Sequence, residues 1–378
     1  MKNVIFFSSL LLPPSQTFIR AQGEKLQNFT PYYVGSRRVP GLELPSDRTL
    51  VLNSGNQLGK FAEATFKLTG FAPNFYQQIE RLNPVLLHAQ FGLSGVLVLP
   101  WIRKLNIPLL VHYRGADATI TPETSQYVSL NHWIYFQRRE ALKRETTLFL
   151  TVSKFIKQKL VEQGFPETKI RPHYHGVDTN QFQADLQVPR ESVVLFVGRL
   201  TAKKGLEDLI AAMARVQIDH REAKLVVIGD GILREKLERQ AKESLKNYEF
   251  LGVQPQSEVK AWMNRSKVLA TPSVTAPDGD TEGLPNVVLE AQAMRLPVVA
   301  TLHAGIPEAV LHEETGFLVP ERDSQGLAKY IVKLLQDPEL WQSLSEKGRD
   351  WVCQSFDRDR QTRVLETVYE TVLERANS

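Results

Sequence analysis

The stretch VVLFVGRLTAKKGLEDLI, residues 193–210, decides the fold of this chain. It opens with a run of apolar residues, turns at a glycine and continues with the apolar spacing of an amphipathic helix. An apolar run without alternation is typical of a strand buried on both faces of a parallel sheet. A strand, a tight turn and a helix in this order begin a βαβ unit. The stretch therefore predicts an α/β domain built on a parallel sheet.

Similar patterns extend outward from this stretch along the whole chain. The further apolar runs are VIFFSSLLL (4–12), PVLLHAQF (84–91), PLLVHY (108–113), TLFLTV (147–152), KLVVIGD (224–230), KVLATPS (267–273) and PVVAT (297–301). Amphipathic helical patterns occupy 153–164, 205–216, 232–243, 285–294, 324–336, 337–353 and 358–376. Alternation of this kind predicts a doubly wound α/β fold.

The length of 378 residues favours two domains, because a single core rarely grows that large. A polar stretch near 180–191 separates the first group of runs from the new sheet that opens at 193–198. We predict an N-terminal Rossmann-like domain over 1–186 and a C-terminal one over 187–357. The last helix, 358–378, is expected to cross back to the N-terminal domain.

Composition excludes several classes of protein. A single cysteine, Cys353, rules out a disulfide framework and a cysteine-rich metal site. The apolar start at 4–12 is interrupted by two serines, which favours a buried first strand over a signal peptide. No apolar run reaches the roughly 18 residues that a membrane-spanning helix needs. These features predict a cytoplasmic protein.

Charge is distributed unevenly along the chain. Residues 1–185 hold 21 Lys and Arg against 13 Asp and Glu, whereas the remainder holds 25 against 29. A basic N-terminal half is compatible with an anionic partner, such as a phosphate-bearing acceptor or a membrane surface, and equally with a solvated surface that has no partner.

The turn inside the opening stretch is a candidate anion site. It carries Arg199, Lys203 and Lys204 between the end of a strand and the start of a helix. Such a turn points backbone N–H groups and the positive helix end outward, and a guanidinium can grip two phosphate oxygens. The alternative is a pair of solvated cations on a loop.

A second candidate is the stretch TEGLPNVVLEAQAM, residues 281–294. Pro285 suits the first turn of a helix, and Glu282 and Glu290 are spaced to lie on one side of it. Paired carboxylates suit vicinal diols, because each accepts hydroxyl hydrogens. Glu282 alone is also explained as a favourable charge at a helix N-terminus, whereas Glu290 stands among apolar residues and needs a partner.

Residues 193–320 resemble the C-terminal half of the family 4 retaining glycosyltransferases, which have the GT-B fold. The resemblance is carried by GRLTAKKG (198–205), GDGILREKLE (229–238), FLGVQPQSEV (250–259), TPS (271–273), the two glutamates of 282–290, PVVAT (297–301), GIPEAV (305–310) and TGFLVP (315–320). The N-terminal half matches more thinly, through PSQTFI (14–19), HAQFG (88–92), VHYRGADA (111–118), VSKFI (152–156) and HGVDTNQF (175–182). PSQTFI together with TAPDGDTEGLP (275–285) resembles the branch that serves bacterial exopolysaccharide synthesis of the colanic-acid type.

The resemblance implies two Rossmann-like domains facing across a cleft and assigns roles to single positions. Arg199 and Lys204 would bind the donor diphosphate and stabilise the leaving group, while Glu290 would hold the ribose. Glu282 would contact the hydroxyls of the donor sugar. The remaining implied donor contacts come from backbone at Gly198, Val253, Gly283, Leu284 and Asn286.

The family's usual histidine is absent from one motif. Its position is Arg114, in Arg114-Gly115-Ala116-Asp117, and His112 lies two residues earlier on the same strand face. Arg114 can stabilise phosphate or sugar oxygens but cannot act as a base. Both residues are candidates for the polar catalytic group of this domain, and His112 is equally explained as a satisfied histidine at a strand end.

The implied activity is retaining transfer of a hexose or related sugar from a UDP- or GDP-sugar to a saccharide acceptor, which in this branch is lipid-linked. Asp278 and Asp280 form an Asp-x-Asp sequence, but two aspartates on a short loop usually form a turn, so no metal and no cofactor are expected. No nucleic acid partner is expected.

Peripheral contact with an anionic membrane is one reading of two basic clusters, and a solvated helix face is the other. The clusters are Lys154, Lys157 and Lys159, and Arg138, Arg139, Lys143 and Arg144.

Two other functions share this architecture. A nucleotide-sugar 2-epimerase would act on the donor alone, and a non-catalytic nucleotide-sugar-binding protein would bind the donor without turnover. A nicotinamide-dependent oxidoreductase is disfavoured, because the first apolar run leads into Pro13-Pro14-Ser15 and not into a G-x-G-x-x-G turn.

Overall fold

A computed structural model of the protein describes residues 1–13, 16–119 and 130–377. Pro14 and Ser15 of the PSQTFI motif lie outside the described residues. The chain divides into two units: unit 1 comprises Met1–His175 and Arg358–Ser378, and unit 2 comprises Gly176–Asp357.

The division falls between His175 and Gly176, whereas the sequence analysis places the boundary after 186. Residues just beyond Gly176 are bonded into unit 2. The backbone N–H of Asp185 donates to Asn264 at 2.9 Å, and Arg349 donates to the carbonyl of Phe182 at 3.0 Å. The segment before 187 therefore packs with the second unit.

Unit 1 is built on a seven-stranded sheet whose order is β3-β2-β1-β4-β5-β6-β7, and every pairing is parallel. Its strands are β1 (Lys2–Leu11), β2 (Phe29–Arg38), β3 (Thr49–Asn53), β4 (Pro84–Gln90), β5 (Leu109–Tyr113), β6 (Leu148–Thr151) and β7 (Ile170–Pro172). Its helices are α1 (Thr17–Gly23), α2 (Gln57–Thr69), α3 (Pro73–Arg81), α4 (Gly92–Leu105), α5 (Ala116–Thr119), α6 (Leu130–Glu145) and α7 (Lys154–Glu162).

Unit 2 is built on a six-stranded sheet whose order is β10-β9-β8-β11-β12-β13, again parallel throughout. Its strands are β8 (Glu191–Val197), β9 (Lys224–Ile228), β10 (Tyr248–Gly252), β11 (Ser266–Thr271), β12 (Val298–Thr301) and β13 (Gly316–Val319). Its helices are α8 (Leu206–Asp219), α9 (Arg234–Ser244), α10 (Gln256–Arg265), α11 (Asn286–Ala293), α12 (Ile306–Ala309), α13 (Ser324–Gln336) and α14 (Pro338–Ser355).

The last helix, α15 (Arg358–Asn377), belongs to unit 1. Its buried side chains Leu365, Val368 and Tyr369 are part of the hydrophobic core that contains β1 and β4. Glu366 fixes this packing, because its carboxylate accepts the backbone N–H groups of Gln27 and Asn28, each at 2.7 Å.

Both sheets reverse their strand order at one point, between β1 and β4 in unit 1 and between β8 and β11 in unit 2. In open α/β sheets, ligands bind beyond the carboxyl ends of the strands at such a switch point. The predicted fold class, α/β with two Rossmann-like sheets, is confirmed. In the ranges described, no helix combines enough length and apolarity to cross a bilayer.

Candidate active site

The turn after β8 brings backbone into close contact at the switch point of unit 2. Gly205 has a left-handed φ of 62°, and a Cβ there would lie 1.9 Å from the carbonyl oxygen of Pro272, which follows β11. Gly229, with φ 136°, approaches the carbonyl oxygen of Gly198 equally closely. Glycine at these positions lets the ends of β8, β9 and β11 meet without side chains between them.

Lys203 is buried in this turn. Its ammonium lies 2.9 Å from Asp280 and donates to the carbonyl of Thr281 at 3.2 Å, and its own carbonyl accepts the N–H of Val274 at 2.8 Å. These bonds fasten the loop after β11 to the turn after β8. The alternative of a solvated loop cation is therefore wrong for Lys203, and Asp280 is occupied by a structural ion pair.

Lys204 lies 2.9 Å from the carboxylate of Glu282, and both side chains are largely buried. Burial alone would raise the pKa of Glu282, but the positive charges of Lys204 and Lys203 outweigh it and hold this pKa below its usual range. Glu282 is therefore ionised at neutral pH. The structure thus joins two predicted site residues that are 78 positions apart in the chain.

Arg199 is exposed beside this pair, and within the described ranges no carboxylate lies at ion-pair distance from its guanidinium. The preceding residue, Gly198, packs against the side chain of Lys204, since a Cβ at Gly198 would lie 3.4 Å from Cε of Lys204. The charges of Lys204 and Glu282 offset each other, whereas the guanidinium of Arg199 has no carboxylate partner. Net positive charge therefore remains at the carboxyl edge of the sheet. This charge suits an incoming phosphate.

A histidine and a glutamate that the sequence analysis missed support Glu282. The Nε2 atom of His303 accepts the backbone N–H of Glu282 at 3.2 Å, and its Nδ1 lies 2.7 Å from Glu321. Because Nε2 accepts, the proton is on Nδ1 and is donated to Glu321. His303 lies two residues after the end of β12, a position at the same sheet edge that could have signalled it.

Glu290 lies on α11, and burial raises its pKa to about 7. Among the described residues none donates a hydrogen bond to its carboxylate. A buried carboxylate without a partner is costly unless a ligand supplies donors. This arrangement is compatible with the sequence-based assignment of Glu290 to ribose hydroxyls.

The other predicted donor contacts lie on the same edge of the sheet. Val253 follows β10 and is 77% exposed, so its backbone and side chain are accessible. Gly283, Leu284 and Asn286 lead into α11, whose start has no side-chain cap. Leu284 is buried, which leaves only its backbone to face a ligand. Uncapped first-turn amides favour an anion.

A second polar cluster lies at the ends of β4 and β5 in unit 1. Asp117 joins the two strand ends, since its carboxylate accepts backbone N–H groups from Gly92, Arg114 and Gly115 at 3.0–3.1 Å. Burial raises the pKa of Asp117 to about 6, against the lowering effect of those three donors.

Arg114 is held by its neighbours in this cluster. It donates to Oε1 of Gln90 at 2.7 Å through Nη2 and at 3.3 Å through Nε, and Nη2 lies 3.1 Å from Nδ1 of His112. The guanidinium also lies over the ring of Phe18 at 4.7 Å. Burial lowers the pKa of Arg114 to about 9, so the group is still charged at neutral pH.

Three further side chains in the cluster are buried histidines. Burial and the charge of Arg114 hold the pKa values of His88 and His112 well below the usual range, and burial lowers that of His173 to about 4. These imidazoles are therefore neutral. His112 lies inside the sheet and positions Arg114, whereas Arg114 is partly exposed.

The two basic clusters named in the sequence analysis are largely paired within unit 1. Lys157 pairs with Glu167, Lys159 with Glu162 and Lys143 with Glu140, at 2.7–2.9 Å. Arg139 donates to Gln163 at 3.1 Å. These contacts fit the alternative of a solvated helix face.

Two Rossmann-type sheets, each with charged groups beyond the switch point, define an α/β protein of the nucleotide-handling class. Two family patterns match the chain. "Glycosyl transferases group 1" matches residues 177–351, and "Glycosyltransferase Family 4" matches residues 38–181.

Curated relatives agree with these matches. The chain is 32% identical over 295 residues to WcaL of Salmonella typhimurium, a glycosyltransferase whose name assigns it to colanic acid biosynthesis, and the match covers 75% of this chain and 70% of that protein. It is 32% identical over 254 residues to the amylovoran biosynthesis glycosyltransferase AmsK of Erwinia amylovora, covering 65% of this chain and 60% of that protein. The chain belongs to glycosyltransferase family 4.

Solved structures of low sequence identity share the fold. Sucrose-phosphate synthase from Thermosynechococcus elongatus superposes with a TM-score of 0.78 at 21% identity, covering 99% of this chain and all of that one. HepE from Anabaena, solved in complex with UDP and with UDP-glucose, superposes with a TM-score of 0.76 at 19% identity, covering 98% of this chain and all of that one. These neighbours establish GT-B architecture for the chain.

Proposed function

We propose that this glycosyltransferase moves a hexose or related sugar, with retention of anomeric configuration, from a UDP- or GDP-sugar to a saccharide acceptor. The acceptor would be lipid-linked, and the product would enter exopolysaccharide or another cell-surface polysaccharide. The names of WcaL and AmsK support the polysaccharide, and the UDP and UDP-glucose complexes of HepE support the donor class.

One observation carries the proposal: at the switch point of unit 2, exposed Arg199 stands beside the Lys204–Glu282 ion pair. Charge develops on the diphosphate as it leaves. Fixed cations and helix-start amides stabilise that charge without reorganising. Lys204 has three N–H donors, so it can contact a phosphate oxygen while it still holds Glu282.

The bond between the anomeric carbon and the diphosphate oxygen breaks, and a bond from the acceptor oxygen to the anomeric carbon forms on the same face. The acceptor proton passes to the leaving phosphate oxygen. Glu282, paired with Lys204, is suited to hold sugar hydroxyls and not to attack carbon.

No metal is part of the proposal. The phosphate charge meets Arg199 and Lys204, while Asp280 is engaged by Lys203. Within the described part of the chain, no cluster of three histidine, cysteine or acidic side chains has the geometry to bind a metal ion.

Replacing the two cations tests the proposal. We expect Arg199→Ala and Lys204→Ala each to lower turnover by about 10²-fold or more, because each removes stabilisation of the developing phosphate charge. Initial rates with a panel of nucleotide sugars measure this. Near wild-type rates in both variants would contradict the assignment.

The two remaining alternatives are separated by the fate of the donor. A 2-epimerase would convert the nucleotide sugar when no acceptor is present, and a binding protein would leave it unchanged. We expect neither: proton NMR of donor alone should show slow hydrolysis at most, and addition of acceptor should release nucleoside diphosphate.

We also propose that unit 1 contacts an anionic membrane, through α2 and not through the basic clusters predicted from sequence. Leu58 and Phe61 are 80% and 74% exposed, and Leu68 and Phe71 are also exposed. Leu58, Phe61 and Leu68 share one face of the helix. Exposed large apolar side chains in a chain half with excess positive charge fit an anionic lipid surface.

Vesicle co-sedimentation tests this contact. We expect binding to phosphatidylglycerol-containing vesicles to fall at least fivefold in Leu58→Ser/Phe61→Ser, since most of the inserted apolar area is lost. The matched control is Ile218→Ser/Ile232→Ser, which removes two exposed apolar side chains from unit 2. Equal losses in both variants, or concentration-dependent dimers through α2, would contradict membrane contact.

A further inference from the structure

Arg114 is a cation whose guanidinium forms no direct ion pair with a described residue. Within the described ranges, no carboxylate lies at ion-pair distance from its guanidinium. The acid next to it in sequence, Asp117, uses its oxygens for the backbone N–H groups of Gly92, Arg114 and Gly115. The three histidines around it are neutral, and the charge of Asp117 acts on the guanidinium through space without a direct bond to it.

The cluster also has more donors than acceptors. Arg114 only donates, so Nδ1 of His112 accepts from it and the proton of this imidazole is on Nε2. Nε2 of His112, Nη1 of Arg114 and Nε2 of Gln90 are buried and have no acceptor. Three buried N–H donors without acceptors are costly, and an oxygen atom of a ligand would satisfy each of them.

The cluster is rigid as well as donor-rich. Gln90 and His112 sit on neighbouring strands, and both hold the same guanidinium nitrogen. Phe18 lies under the guanidinium, which fixes its plane. Because Nε and Nη2 are occupied, the donors left for the oxygens of a carboxylate or phosphate are Nη1 of Arg114 and the Nε2 groups of His112 and Gln90. A neutral hydroxyl would fit less well, because it brings a donor of its own to a cluster whose free groups are donors.

We propose that Arg114, supported by Gln90 and His112, forms a binding site for an oxyanion carried by the saccharide substrate. The oxyanion is a carboxylate on an acidic sugar or a phosphate. The site lies on unit 1, and the inference rests on the proposed function for its substrate class.

Probes that carry one oxyanion each test the site. In an Arg199→Ala background, which removes a cation of the unit 2 turn, the Nε–H resonance of Arg114 is followed by NMR at low salt. The Arg114→Gln variant identifies the resonance, and the probes are glucuronate, inorganic pyrophosphate and glucose. We expect an anionic probe to shift the Arg114 resonance with saturation, with a Kd on the order of millimolar for so small a ligand, and glucose to leave it in place.

The pattern among the probes identifies the source of the oxyanion. A shift with glucuronate alone indicates a sugar carboxylate, a shift with pyrophosphate alone indicates a phosphate, and shifts with both indicate an oxyanion site of low selectivity. Arg114→Lys should bind more weakly than wild type but better than Arg114→Gln, because it keeps the charge and loses the bonds to Gln90 and His112 that hold the guanidinium in place.

Arg103→Gln is the matched control, since Arg103 forms an exposed ion pair with Glu145 in the same unit. Failure of both anions to shift the resonance, or equal calorimetric binding of the anions to Arg114→Gln and to Arg103→Gln, would overturn the inference. The proposed function would survive that result, because it is judged by the turnover of Arg199→Ala and Lys204→Ala.

Discussion

The cations at the switch points of the two sheets have different partners. In unit 2 the inner cations have carboxylate partners: Lys203 pairs with Asp280, and Lys204 pairs with Glu282. In unit 1 the cation Arg114 bonds only to neutral side chains, and the oxygens of the nearby Asp117 accept backbone N–H groups. One strand-end cluster pairs its cations directly with carboxylates, and the other does not.

The difference distinguishes cations that hold the fold together from cations that are available to bind a ligand. The Lys203–Asp280 pair, together with the bond from Lys203 to the carbonyl of Thr281, fixes the geometry of the two loops. Arg199 in unit 2 and Arg114 in unit 1 lack carboxylate partners within the described residues, so their charges remain available. We therefore expect ligand affinity to follow Arg199, Arg114 and Lys204, whose ammonium keeps N–H donors for a phosphate while it holds Glu282, and stability to follow the Lys203–Asp280 pair.

Removal of Lys203 should give the largest loss of stability. Lys203→Met leaves Asp280 without its partner in a partly buried place, and we expect the free energy of unfolding to fall by about 3 kcal/mol. Urea denaturation measures the loss. Lys224→Met, which breaks the exposed pair with Glu249, should cost at most about 1 kcal/mol. Similar losses in the two variants would show that the Lys203–Asp280 pair contributes no more to stability than an exposed ion pair.

The ionisation of Glu290 should make nucleotide binding depend on pH. Its pKa of about 7 means that the carboxylate becomes protonated as the pH falls through neutrality, and a protonated carboxyl accepts fewer hydroxyl hydrogens. We expect nucleoside diphosphate affinity to fall roughly tenfold from pH 8 to pH 6, as the ionised fraction falls. Calorimetric titrations give the affinities.

Glu290→Gln provides the control for this pH series, because titration of the nucleotide itself affects both proteins alike. The variant should bind more weakly than wild type at pH 8 and show a flatter pH dependence. Parallel pH profiles for the two proteins would show that Glu290 does not contact the ligand.

The smallest expected effect concerns His303, which positions Glu282. His303→Ala removes one hydrogen bond to the Glu282 backbone and one to Glu321, and we expect kcat to fall about three- to tenfold with a smaller change in the KM of the donor. His303→Asn or His303→Gln should restore part of kcat if a side-chain acceptor reaches the Glu282 N–H. A loss of stability without change in kcat would assign His303 a structural role alone.

Much of the fold was predictable, because eight strands are continuous apolar runs and the runs expected for them overlap β1, β4, β5, β6, β8, β9, β11 and β12. The strands that were not predicted are β2, β3, β7, β10 and β13. Four of these, β3, β7, β10 and β13, are edge strands. Residues of β3 and β10 are mostly half-buried, so the sequences of these two strands lack an uninterrupted apolar run. Edge position is a property of the sheet and is not visible in a single strand.

The site was predictable only where one short motif contains it. The cations of 199–204 and the glutamates of 282–290 stand in motifs that can be read from sequence. The pairing of Lys203 with Asp280, the support of Glu282 by His303 and the ring of donors around Arg114 depend on contacts between separate strand ends. Those contacts arise only when parallel strands bring their carboxyl ends together.

The most direct test of this account is a crystal soaked with UDP or GDP. We predict that the diphosphate lies against the Arg199 guanidinium and the Lys204 ammonium, with the ribose hydroxyls on the Glu290 carboxylate. A nucleotide bound elsewhere, away from both Arg199 and Glu290, would contradict it.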